Sequence, residues 1–196
     1  MNDDGGIWLV SGIQAAGKST VADLLARQFD PAVHIRGGQF YRWATSGWVH
    51  PDGSVLTDRA RQLLDLRYRL SALTADQYAD AGFTAVVQDN IFGADVVRWL
   101  DLVRSRPRRL VVLRPGKAVV AARDADRRAR TGKIAYRPGE FTIDGLDTAL
   151  AETPPIGLWL DTSDQTPAET VREIMLRAKE AEIVSFIAND PRQSRP

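Results

Sequence analysis

Cysteine is absent from the 196 residues. That excludes disulfides and thiolate chemistry, and it leaves a metal ion only oxygen or imidazole ligands. An excess of charge of either sign is also lacking. Lys and Arg number 26 against 25 for Asp and Glu, so no overall field draws the chain to nucleic acid or to an anionic membrane. Any electrostatic specialisation is therefore local. No apolar run nears the ~18 residues that a membrane span requires, and the opening "MNDDGG" is acidic where a secretion signal would be basic. The cytoplasm is the expected compartment. Repeats and linker-like stretches are missing too, and only the closing "NDPRQSRP" (189–196) reads as a loose tail.

What is present is a regular alternation. Short runs rich in Val, Ile and Leu stand at 7–12 ("IWLVSG"), 32–37 ("AVHIRG"), 83–89 ("FTAVVQD"), 108–114 ("RRLVVLR") and 156–162 ("IGLWLDT"). Between them lie stretches of helical periodicity at about 17–29, 39–46, 58–81, 93–105, 116–131 and 167–188. Nearly continuous apolar strands joined by helices are the pattern of an α/β fold with a parallel sheet covered on both faces. A length of this order suits one domain, 1–196. The last helix has a clear start, since Thr166 can cap it, Pro167 suits its first position and Glu169 completes a capping box.

The first loop carries the most specific signal. In "GIQAAGKST" (12–20), Gly12, Gly17, Lys18 and Ser19 match G-x-x-x-x-G-K-[ST] directly after a strand and before a helix. Glycine permits the backbone angles and close approach that let the amides from Ala15 and Ala16 to Thr20 converge on phosphate oxygens, and the helix start adds its positive dipole end. Lys18 would reach the β- and γ-phosphates and the Ser19 hydroxyl one position on Mg²⁺. An Asn-Lys-x-Asp segment for guanine is missing, which favours ATP, and so is G-x-G-x-x-G, which argues against a dinucleotide.

Two further features lie at strand ends or beyond. Asp89 closes a buried strand at the sheet edge where α/β ligands gather. It could bind Mg²⁺ through water, accept a proton from an acceptor hydroxyl, or simply cap the next helix. In "AARDADRRARTGK" (121–133), four-residue spacing pairs Asp124 with Arg128 and Asp126 with Arg130. Arg123 and Arg127 are left on one stripe, as a solvated face or as a lid (about 116–140) that closes on the nucleotide.

Taken in order, "IWLVSGIQAAGKST", "VVQDNIFG", "RDADRRAR" and "LWLDTSDQTPAETVREI" resemble the small P-loop kinases of the AAA_33 or zeta-toxin-like group, which includes chloramphenicol phosphotransferase and the polynucleotide 5′-kinase domain. The resemblance implies a P-loop NTPase fold with a five-stranded parallel sheet flanked by helices. It also implies lid roles for Arg123 and Arg127, and a place near adenine for Asp161, Thr162 and Ser163. Such kinases commonly end the second strand with an aspartate that activates the acceptor, and here the matching position is Gly38. A shift of one residue would put Gln39 there, which can orient a hydroxyl but cannot deprotonate it.

The helix after Gly38 has the mix of a small-molecule site. Gln39, Tyr41 and Arg42 are its candidate contacts, and Arg42 would suit an anionic acceptor; Phe40 and Trp43 read equally well as core. The stripe Leu63, Leu66, Leu70 and Leu73 is expected to pack inward. His34 and His50 receive no role. The expected function is ATP- and Mg²⁺-dependent transfer to a hydroxyl of a small molecule, an antibiotic, nucleoside or sugar nucleotide, with Lys18, Asp89, Arg123 and Arg127 as its catalytic groups. The other reading is a nucleotide-binding sensor that has lost its base at Gly38. A nucleic-acid 5′-kinase is disfavoured, because apart from the lid only "RSRPRR" (104–109), read as an exposed turn into the fourth strand, concentrates positive charge.

Overall fold

A computed structural model describes residues 5–49, 56–136 and 141–184. Five strands, β1 (Ile7–Gly12), β2 (Ala32–Arg36), β3 (Thr84–Gln88), β4 (Arg108–Leu113) and β5 (Leu158–Leu160), form one sheet in the order β2-β3-β1-β4-β5, with every pairing parallel. The central strands β1 and β4 are buried residue by residue, as continuous apolar strands under helices on both faces should be. The helices are α1 (Lys18–Ala26), α2 (Gly38–Arg42), α3 (Asp58–Asp80), α4 (Ala94–Leu102), α5 (Lys117–Thr131), α6 (Ile143–Ala151), α7 (Pro167–Leu176) and α8 (Ala178–Ala181). Helix α1 packs on β2 and β3 and pairs with α7, whereas α3 packs on the same strands and pairs with α4. The core is continuous across these layers, from Trp8, Leu9 and Val10 to Trp99, Leu113 and Ile174.

All five strands fall where the apolar runs place them. The final helix begins as its residues dictate, with Thr166 accepting from the Glu169 N–H and the Glu169 side chain answering to the Thr166 N–H. It is shorter than expected, because α7 gives way to α8 and then to an antiparallel bridge between Glu182 and Arg109. The rest of that helical stretch (185–188), the tail 189–196, the last lid residues 137–140 and His50 lie outside the described residues.

Two expectations about packing are corrected. The stripe Leu63, Leu66, Leu70 and Leu73 does not turn inward as a unit, since Leu63 is buried but Leu66 is 40% and Leu73 55% exposed. The buried face of α3 instead carries small residues, Ala60, Ser71, Ala72 and Ala75, with Tyr68 and Asp76. Small side chains let this helix lie close on the sheet. The cluster 104–109 is also only half a turn, for Arg104 and Arg106 are exposed while Arg108 and Arg109 are buried within β4. The Arg109 guanidinium lies 4.8 Å from the Trp8 ring and donates to the Gly5 carbonyl. Among the described residues no helix is long and apolar enough to cross a membrane.

Candidate active site

The carboxyl ends of β1, β3 and β5 and the starts of α1 and α7 meet around one cavity of about 610 Å³. Its floor is the loop after β1. Gly17, at φ 97°, lets the chain enter α1 in a conformation that a side chain would strain, and α1 begins with no side-chain cap, which leaves the N–H groups of Lys18 and Ser19 for a ligand. Ala15 has a positive φ of 61°. The Ala16 and Thr20 N–H groups differ from expectation, because they already donate to the Ile13 and Gly17 carbonyls. Lys18 is buried, and its Nζ folds back onto the Ile13 carbonyl at 2.7 Å. Burial, then the charges of Arg67 and Arg127, pull its pKa from 10.5 to about 7.

Strand alternation separates the neighbours of Asp89. Gln88 and Asn90 line the cavity, and Gln88 Oε1 accepts from the Ser19 hydroxyl at 2.8 Å. Asp89 points the other way. It is 2% exposed and gripped by Arg67 of α3 through Nε (2.7 Å to Oδ2) and Nη2, and it also accepts from the Asn90 N–H at 2.7 Å. Ser19 and Asp89, expected to share a metal, are therefore not brought together. Gly37 closes this arrangement, since a Cβ on it would stand 2.0 Å from Asp89 Oδ2. Gly38 is open, and a Cβ there would meet nothing within 4 Å.

The two arginines expected to form a lid are engaged differently from expectation. Asp126 pairs with Arg130, but Asp124 pairs with Arg127 at 2.5 Å instead of Arg128. Arg127 is thus not a free cation, although its Nε is buried without a partner. Arg123 spans the site, donating to the Ala16 carbonyl (3.2 Å) and to the Thr162 carbonyl (2.7 Å). Beyond α5, Asp124 also accepts from the Ala135 N–H, and the Tyr136 hydroxyl donates to the Gln14 carbonyl at 2.7 Å. Burial and the nearby Asp124 push the Tyr136 phenol above its usual range.

Of the segment expected near adenine, Thr162 lines the cavity, and its buried Oγ1 has no partner. Asp161 and Ser163 tie each other and the Gly116 N–H instead. On the acceptor side, Tyr41 lies under the Arg67 guanidinium at 4.4 Å and against the Trp48 ring. Phe40 packs on the core, Gln39 is half-buried, Arg42 is exposed, and Trp43 is 67% exposed and no part of the core. Sequence reasoning missed Arg67, Gln88 and Tyr136, and it placed Arg130 only as the partner of Asp126, although Arg130 also lines the cavity. Only Gln88, next to Asp89 at a strand end, carried a local signal.

The residues fit a nucleoside triphosphate on three observations: the uncapped helix start, the buried ammonium in the loop, and the orphaned Thr162 hydroxyl in the cavity wall. No group of three or more His, Asp or Glu among the described residues could hold a metal, so a divalent ion would rest on phosphate oxygens and Ser19.

Comparison with known proteins agrees with this geometry. No curated protein matches the chain. A sugar kinase from Janibacter sp. HTCC2649 shares its fold at 17% identity and TM-score 0.63, over 90% of this chain and 96% of that one. A gluconokinase from Sinorhizobium meliloti 1021 does so at 20% and 0.59, over 90% and 94%. The thymidylate kinase of Candida albicans follows at 13% and 0.59, over 93% and 96%. The family model of the AAA_33 type of AAA domain matches residues 7–148. With its phosphate loop, its parallel sheet and this match over most of its length, the chain belongs to the AAA_33 family.

Proposed function

We propose that the protein is a kinase that moves the γ-phosphate of ATP to a hydroxyl of a small molecule. The observation that carries this reading is the division of the β1–β3 end of the sheet into two compartments. One is a phosphate-loop cavity lined by Lys18, Ser19, Gln88, Arg123 and Arg127, and the other is the cluster of Tyr41, Arg67 and Asp89 beside it. Transfer through a loose transition state needs positioning and charge stabilisation above all, and these residues supply both. Lys18 and the lid arginines would bind the β- and γ-phosphates. Thr162, with Gln165, Pro167 and Thr170 behind it, would receive the base. Mg²⁺, when bound to the phosphates and Ser19, neutralises charge on the triphosphate. Asp89, buried and paired with Arg67, is the carboxylate we assign to the acceptor hydroxyl. Fold relatives described as sugar kinase and gluconokinase support small hydroxylated acceptors.

The test is ADP release from Mg·ATP with and without a panel of antibiotics, nucleosides and sugars. Stimulation by one class is expected. Bound ATP with no stimulation by any class would favour the second reading, a nucleotide sensor, for which the closed Arg67–Asp89 pair and the bare Gly38 are the specific observations. The variant Gly38→Asp has open space for its side chain and is expected to raise turnover several-fold. Unchanged turnover would remove Gly38 from the account.

A further inference from the structure

Arg67 is a cation buried where the cleft is already positive. Its side chain is 11% exposed, and its charge is felt at Lys18, whose pKa it helps to lower. Stacking over the Tyr41 ring fixes the guanidinium from one side. Nε and Nη2 face the two oxygens of Asp89, and the Tyr41 side chain meets the same guanidinium. Asp89 in turn is closed in by Arg67, the Asn90 N–H and the bare backbone of Gly37. A carboxylate so paired is a poor proton acceptor. Beside it, Gly38 leaves an open space with no negative charge in it.

These contacts describe a pair that a second anion can open. Resting on the kinase reading above, we propose that the acceptor is a hydroxylated small molecule that also bears a carboxylate or phosphate, and that this anionic group takes the Arg67 guanidinium from Asp89. Tyr41 keeps the guanidinium in place during the exchange, so the incoming anion meets the same planar fork that the carboxylate leaves. Asp89 stays buried but loses its counter-charge, which makes it a stronger base. In the transfer step the acceptor oxygen bonds to the γ-phosphorus, and the bond from that phosphorus to the β–γ bridging oxygen breaks. ADP leaves with the electron pair, and the hydroxyl proton passes to Asp89. A neutral acceptor leaves the pair closed and the base restrained.

The experiment follows ADP release from saturating Mg·ATP with water as acceptor in the wild type, Arg67→Met and the double variant Arg67→Met/Asp89→Asn. Arg67→Met is expected to release ADP at least fivefold faster than the wild type, and the added Asp89→Asn to abolish that gain. Methylphosphonate, an anion with no hydroxyl, should speed the wild type and leave Arg67→Met unchanged. Gluconate against glucitol and glucose 6-phosphate against glucose then separate carboxylate from phosphate as the preferred anion. A folded Arg67→Met no faster than the wild type, or a wild type indifferent to methylphosphonate, overturns the proposal. If Arg67→Met fails to fold, Arg67→Lys, which grips one oxygen, must show a smaller rise, and no rise overturns it equally. A wild type that turns over nucleotide but ignores these changes sinks this proposal alone. One that binds no nucleotide takes the kinase reading down with it.

Discussion

Lys18 holds its charge where burial disfavours it, and this has a measurable sign. With its pKa near 7 in the folded chain against 10.5 as the ordinary value, the unfolded chain binds more protons between those pH values, and stability rises with pH across that window. The penalty is largest below pH 7. Lys18→Met should therefore stabilise the protein at pH 6 to 7 by something on the order of a few kcal/mol, and the gain should shrink towards pH 10. Denaturant melts at several pH values check it, and a gain that is flat with pH would contradict the assignment. Arriving phosphates restore the proton, so nucleotide binding at pH 8 should take up protons, visible as calorimetric heats that differ between buffers of different ionisation enthalpy. Arg67 behaves in the opposite way. Arg67→Met leaves a buried carboxylate unpaired and should cost about 3–5 kcal/mol, whereas the double variant with Asp89→Asn should cost clearly less. Lys18 was legible because its motif is written in eight consecutive residues. Arg67 was not, because its partner lies 22 positions away and its own neighbourhood, "LRYRL", reads only as a charged helix face.

At the scale of elements, α5 and its following loop are stitched to the phosphate loop at two places, Arg123 to Ala16 and Tyr136 to Gln14. Each tie holds α5 and its loop beside the cavity. Tyr136→Phe removes one hydrogen bond, worth about 1 kcal/mol, and should speed nucleotide release roughly fivefold by the same arithmetic while amide exchange across 131–136 quickens. Unchanged release would show that Arg123 alone sets the lid. The sequence placed the helix and its Asp126–Arg130 pair but misassigned the partner of Asp124, because i,i+3 and i,i+4 partners are equally within reach on a helix and the loop residue Ala135 recruits Asp124. Helix α6 was missed altogether. Its nine residues, "IDGLDTALA", include a glycine and too little periodic apolar surface to stand out, although Thr142 caps it as a helix start should be capped. In α3 the leucines drew attention to the wrong face, since close packing on the sheet selected alanine and serine for the inner one.

For the whole molecule, the cavity joins residues from the β1 loop, the β3 end, α5 and the β5 edge, so a ligand that fills it ties together parts distant in the chain. At a hundredfold excess over its dissociation constant, ATP should add about 2.7 kcal/mol, which for a chain of this size is a rise of roughly 5–10 °C in melting temperature. A thermal shift assay with and without Mg²⁺ reads it directly, and no shift would mean that the cavity does not hold the nucleotide. That the strands are parallel was implicit in the alternation of runs and helices; their order in the sheet was not. What faces what across the sheet edge was not, because it depends on register, and one residue of register separates Gln88, turned to Ser19, from Asp89, turned to Gly37. That last contact has a consequence for redesign. The volume beside Gly37 is filled from β3 by Asp89, so a side chain on residue 37 and a carboxylate on residue 89 exclude one another. The two positions are interchangeable hosts for a single negative charge, and Gly37→Asp combined with Asp89→Gly would carry that charge from one strand to its neighbour while Arg67 stays where it is.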